Sequence, residues 1–122
     1  MPSQTRPARH ARAFILLLLA REPACGADLL RRMKQVIPED RTDTAIIYRS
    51  LAKLKKDGLV GVRIDAKVVG PARKIYSLTD AGRGALAAHR DEIEGRIRNL
   101  MYFLQTYETY KRKGLFEKPQ PE

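Results

Sequence analysis

The chain has 122 residues, 43% of them hydrophobic and 31% charged, and its 24 Lys and Arg against 14 Asp and Glu give a net charge of +10. That length suits one domain and is short for two, and the charge calls for a polyanionic partner, nucleic acid first and an anionic membrane second. A lone cysteine, Cys25, excludes an intrachain disulfide, fits a reducing compartment and reads as a small residue packed between helices.

The basic character is uneven. Residues 1–79 carry 16 basic and 7 acidic side chains, whereas residues 80–122 carry 8 and 7. Residues 1–7, polar and with two prolines, read as a flexible arm. Residues 8–20 read as a helix, polar at first and then apolar nearly all round, which implies burial on most sides. Basic residues, an apolar run and a Cys also sketch an export signal. The run 13–20 is too short to span a bilayer, however, and Glu22 and Pro23 make a poor cleavage site. A buried helix is the better reading, and the protein is expected to be soluble and cytoplasmic, with no membrane partner.

A second helix is expected over 26–36, with Leu29, Leu30, Met33 and Val36 at three-and-four spacing and Pro38 beyond its end. Thr42 is a plausible N-cap for a third helix that ends at Asp57-Gly58. In that helix Ile47, Leu51 and Leu54 share one face. Ile46, Arg49, Lys53 and Lys56 lie nearly opposite, as a basic stripe with one apolar member. Val60, Val62 and Ile64 alternate with Gly61, Arg63 and Asp65 as a strand, and 73–78 returns as its partner across a long connection that turns at Gly70-Pro71.

Thr79 then caps a long helix over 80–113, on the order of 50 Å at 1.5 Å per residue. Leu86, Ile93, Ile97, Leu100, Leu104 and Tyr107 mark a seam of period 3.5, interrupted at Arg90, which suits pairing with a second copy. Residues 114–122 read as a flexible tail.

Catalytic patterns are nearly absent. No Cys/His cluster has metal spacing, no glycine-rich phosphate loop occurs, and Asp91, Glu92 and Glu94 spread around a helix as a solvated face. Neither an enzyme nor a cofactor is expected. Three helices followed by a hairpin is instead the element order of a winged helix-turn-helix, whose third helix enters the DNA major groove N-terminus first. The fold class is therefore mainly α with a small β-hairpin: a DNA-binding domain over 8–79 and a dimerisation helix over 80–113.

The charge agrees with that placement. From Arg49 to Lys74 there are eight basic residues, including Lys53, Lys56, Lys67, Arg73 and Lys74, and two acidic ones. Thr42, Thr44 and Ile46 sit where base edges become reachable, and Arg49 suits a guanine. Tyr48 is either core with its hydroxyl outward or a phosphate contact.

Three stretches also resemble a known family, the PadR-like transcriptional regulators. "FILLLLAREPACGADLL" is similar to the family's passage from first to second helix, "IIYRSLAKLKKDGLV" to its recognition-helix signature, and "GPARKIYSLTDAG" to its wing signature. The resemblance covers 14–84 and looks like the smaller subgroup with one helix after the wing. Cys25 and Ala27 stand where the family often has His and Tyr, and Ile46 where a polar residue is usual.

What the resemblance implies is a cytoplasmic homodimer on a palindromic operator in double-stranded DNA. Such proteins are usually repressors, released in several members by a small molecule, here a small hydrophobic or aromatic effector. It implies that Tyr48 and Arg49 contact DNA and that Arg73 and Lys74 anchor the wing. It also implies that the first and last helices build the dimer, with Phe14 and Leu18 joining the seam. The competing reading is a winged-helix adaptor whose basic surface meets an acidic protein.

Overall fold

The computed structural model describes residues 10–65, 70 and 72–118, in two units divided after Ala87. The first contains α1 (Ala11–Arg21), α2 (Gly26–Val36), α3 (Thr44–Lys56), β1 (Val60–Asp65), β2 (Arg73–Leu78) and the opening turns of α4 (Asp80–Arg112). The expected start of the first helix at residue 8, the arm 1–7 and Lys67 lie outside the described residues.

The core of this unit is made of Ile15, Leu16, Leu29, Met33, Ile47, Leu51 and Leu54, all fully buried. α3 contributes the face its spacing predicts, whereas in α2 only Leu29 and Met33 of the expected face are fully buried and Val36, at the last turn, is 60% exposed. Each fully buried side chain contributes about 1.5–3 kcal/mol. The apolar run resembling an export signal is the buried face of α1, although Leu17 remains exposed on its other side.

β1 and β2 pair antiparallel with Val60 opposite Leu78 and Asp65 opposite Arg73. The α1–α2 connection adds a short third edge. The Ala24 amide donates to the Tyr76 carbonyl at 3.0 Å, and the Tyr76 amide donates back to the Ala24 carbonyl at 2.8 Å. This exchange fixes the wing's returning strand against the start of α2.

α3 begins one residue later than expected. Asp43 is its N-cap, accepting from the Ile46 amide at 2.9 Å. Thr42 is buried, its carbonyl accepts from Lys34 at 2.7 Å and its amide donates to Asp40 at 3.2 Å, so it holds the helix-turn-helix turn instead. Burial alone would raise the Asp40 carboxyl. Hydrogen bonds from Thr42 and Lys34 outweigh it and hold the group below its ordinary value.

α3 ends as the sequence implies. Gly58, at φ +76°, donates to the Lys55 carbonyl and the next amide, Leu59, donates to the Leu54 carbonyl, satisfying two groups that the helix itself leaves open. The start of α4 is tied to this same point. The Thr79 hydroxyl donates to the Gly58 carbonyl at 2.8 Å and accepts from the Gly82 amide at 3.0 Å, so it caps α4 while bonding the end of α3. Gly82 is buried there, and a methyl group on it would run into the Leu59 carbonyl oxygen and stand 2.6 Å from Leu78 Cδ1.

The second unit continues α4 from Ala88. Arg90 pairs with Asp91 and Glu94, and Arg96 with Glu92, so the acidic run is solvated and also partnered. The helix closes on Gly114, at φ +73°, with Gly114 donating to Lys111 and Leu115 to Tyr110. The tail, expected to be flexible from 114 onward, begins by folding back. The Phe116 ring lies 4.9 Å from that of Tyr107 and 6.3 Å from that of Tyr110. Among the described residues, no helix is long and apolar enough to cross a membrane, and no cluster of metal-ligating side chains occurs.

Candidate nucleic-acid interface

α3 is amphipathic in a way that presents cations outward. With Ile47, Leu51 and Leu54 buried, the opposite side carries Arg49, Lys53 and Lys56, all exposed. Lys53 reaches the Asp57 carboxylate at 3.2 Å, a surface pair of little strength that leaves the cation in water. Thr44 and Ala45 are exposed at the helix start. Ile46, expected as a base contact, is only partly exposed because its side chain packs against the core.

The wing brings a second set of cations. Arg73 and Lys74 are exposed at the start of β2, and Arg73 lies 3.9 Å from Asp65, its partner across the hairpin. Of the Gly70-Pro71 turn expected before them, Gly70 has φ +109°, a conformation that suits only glycine, and Pro71 lies outside the described residues.

Between α3 and the wing lies an open cleft of about 390 Å³. Its walls come from three elements: Gly26 and Ala27 at the start of α2, Tyr48 of α3, and Arg73, Lys74 and Tyr76 of β2, with Cys25 at the back. Tyr48 is 48% exposed, and its ring rests against Gly26, where any side chain would overlap it: a Cβ there would stand 2.7 Å from the ring. That settles how Tyr48 is held, at the border of the core with its hydroxyl end toward the cleft.

Tyr76 forms the floor at 7% exposure. Burial first, then the neighbouring Tyr48 phenol, pushes its hydroxyl above the ordinary value, so it remains a proton donor at neutral pH. Asp28 lies in the first turn of α2. The Arg31 guanidinium 2.7 Å away holds its carboxyl below the usual range against the opposing effect of burial, and the Cys25 thiol donates to it as well.

Charge and spacing in the sequence bring Tyr48, Arg73 and Lys74 forward but miss Cys25, Gly26 and Tyr76 as lining. The one signal available is the N-cap of α2, Cys25, at a position where an oxygen-bearing side chain is the commoner choice.

The residues assigned to pairing are placed unevenly. Leu86 packs against the core of the first unit, as do Phe14 and Leu18 in part. Ile93 is partly exposed, and Ile97, Leu100, Leu104 and Tyr107 are exposed. The free part of the seam therefore starts at Ile93.

Residues 15–88 match the family described as the transcriptional regulator PadR-like family. Among solved structures, a PadR-like transcription factor from Bacteroides fragilis is 26% identical with a TM-score of 0.65, over 76% of this chain and 88% of its own. A PadR family transcription regulator from Clostridium difficile shares the fold at a TM-score of 0.68 and 18% identity, over 78% of this chain and 98% of its own. Bacillus subtilis PadR, solved in complex with operator DNA, is 27% identical with a TM-score of 0.61, over 66% of this chain and 46% of its own. No curated protein matches the chain.

Proposed function

This chain belongs to the PadR-like family of transcriptional regulators, and from that premise we propose that it is a cytoplasmic homodimeric repressor reading a palindromic operator. The observation that carries this reading is the set of exposed cations: Arg49, Lys53 and Lys56 on α3, and Arg73 and Lys74 on the wing, the last two lining the cleft together with Tyr48. In the dimer two such surfaces meet half-sites about 34 Å apart. Thr44 and Arg49 face base edges, and Tyr48, Lys53, Lys56, Lys67, Arg73 and Lys74 hold phosphates. Ile97, Leu100, Leu104 and Tyr107 supply the pairing surface, because exposed apolar side chains at that spacing gain most from a second helix.

A small hydrophobic or aromatic effector that lowers operator affinity completes the proposal. It is supported by the exposed aromatic side chains of the second unit, Phe103, Tyr107 and Tyr110. A panel of such compounds that leaves operator binding unchanged removes this part alone.

Binding to the DNA upstream of the protein's own gene, measured at several salt concentrations, tests the main reading. A regulator shows a steep salt slope and roughly a thousandfold preference over random DNA. Arg49→Ala lowers that preference, whereas Lys67→Ala weakens binding to all sequences alike. A flat slope without preference would leave the acidic-partner adaptor standing in its place.

A further inference from the structure

The turn between α2 and α3 contains a buried charge that closing a turn does not by itself require. The Asp40 side chain is 6% exposed, whereas the carboxylates of the other ion pairs among the described residues are at least 22% exposed. A carboxylate taken that far out of water is costly unless donors replace the water. Asp40 has them. Its Oδ2 accepts from the Lys34 ammonium at 3.2 Å and its Oδ1 from the Thr42 amide at 3.2 Å, and the Thr42 hydroxyl adds a further bond. The same ammonium donates to the Thr42 carbonyl at 2.7 Å. Lys34, in the last turn of α2, therefore grips both Asp40 and Thr42, and Thr42 is itself 3% exposed.

This clasp ends where α3 begins. Asp43, next to Thr42, caps the helix, and Thr44 and Ala45 follow, both exposed. The buried residues of α3 start only at Ile47, so its first turn takes its position from the chain that enters it.

We propose that Asp40 and Lys34 are positioning residues for operator recognition: by gripping Thr42 they set the start of α3, and so decide whether Thr44 and Arg49 meet their bases. This rests on the DNA-binding reading and goes beyond it in assigning discrimination to two residues that act through Thr42 and not through a contact with DNA. A buried ion pair is a weak source of stability, because desolvation offsets most of its attraction. What it provides is one preferred arrangement, since any other leaves a charge without donors. Recognition needs that arrangement, because contacting groups must be held within about 0.5 Å of their productive geometry. The long lysine stems of α3 can follow a small shift of the helix and still reach a phosphate. A base-edge contact from the short Thr44 side chain cannot, and base edges are where sequence is read.

The test uses the full chain and two duplexes of equal length, one from upstream of the protein's own gene and one with the same bases in scrambled order. Lys34→Met keeps an apolar stem and removes the ammonium. Asp40→Asn keeps an acceptor for the Thr42 amide and loses the charge. Each should lower the preference for the upstream duplex about tenfold, roughly the cost of one mismatched base pair. Binding to the scrambled duplex should stay within about twofold with an unchanged salt slope, because no phosphate contact is lost. The two changes together should cost no more than the worse of them alone, since both break one clasp. A variant that only unfolded more readily would lose both duplexes in proportion, so the ratio separates positioning from stability.

If the wild type is selective and both variants keep its preference, the clasp has no part in recognition and the regulator reading survives. If Lys34→Met weakens both duplexes alike and lowers the salt slope by about 0.9, Lys34 is a phosphate contact and the positioning role is overturned. A proportional loss on both duplexes at an unchanged slope assigns the pair to stability alone and overturns it equally. A wild type without preference removes the regulator reading itself, and the positioning role with it.

Discussion

The two units treat apolar surface in opposite ways. Up to Ala87 the chain buries seven large side chains completely and seals the joint between α3 and α4 with backbone contact at Gly82. Beyond Ala87 no described residue is buried, and Ile97, Leu100, Met101, Tyr102, Phe103 and Leu104 are between 48% and 69% exposed. Water contact of that kind forgoes about 25 cal/mol per Å². A lone helix gains little from its own backbone bonds, since most helical stability in proteins comes from packing an apolar face. The first unit therefore buries its own apolar face, whereas the second leaves its apolar side chains uncovered, the surface that the proposed dimer would cover.

The sharpest way to break that comparison is to damage the first unit. Gly82→Ala should cost about 3 kcal/mol or more, because the new methyl meets the Leu59 backbone, which cannot move aside without disturbing the cap at Thr79. Gly84→Ala is the matched control. A Cβ there meets open space, so it should be neutral or stabilise by up to about 1 kcal/mol through better helix propensity. Urea unfolding of the two variants side by side measures the difference. Equal stabilities would mean that the start of α4 is not pinned as described.

The next effect belongs to the second unit. Leu100→Asp with Leu104→Asp should leave the core of the first unit intact but raise the dimer dissociation constant more than about a hundredfold. Each leucine is worth about 1.5–3 kcal/mol if covered in the pair. Sedimentation equilibrium reads the dissociation constant directly. The melting temperature of the wild type should rise with protein concentration and that of the double variant should not. A double variant that remains dimeric would move the pairing surface elsewhere.

The parts of this design that are legible in the sequence are those set by local period. The buried trio of α3, the alternation through β1 and the 3.5-residue seam each follow from side-chain spacing, and Gly58 marks its own helix end. What is not legible depends on contacts between distant segments. Thr42 and Asp43 are both good caps by residue type, and only the engagement of Thr42 with Asp40 and Lys34 decides between them. Gly82 and Gly84 look alike in sequence, yet only one touches another backbone. Leu86 fits the seam by spacing but packs on the core, because the first turns of α4 belong to the first unit. The cleft joins the start of α2 to a strand far along the chain through the Ala24–Tyr76 exchange, and no periodicity records that pairing.

The smallest effect concerns the turn that sets α3 in place. Asp40 is held below its ordinary pKa by Thr42 and Lys34, so its contribution to stability is present above the unfolded value, about 3.9. That contribution is lost as pH falls from there through the lower folded value. Lys34 is 54% exposed, which screens the ion pair, so the hydrogen bonds should dominate and Asp40→Asn should cost only about 1 kcal/mol. Unfolding both proteins across the acid range isolates the group, because Asp28, also lowered, contributes equally to each and cancels in the difference. The gap between the two curves should be constant above about pH 5 and close as the solution becomes more acidic. A gap that persists unchanged at the acid end would mean that the Asp40 charge contributes nothing to the turn, leaving Thr42 held by its backbone bonds and burial alone.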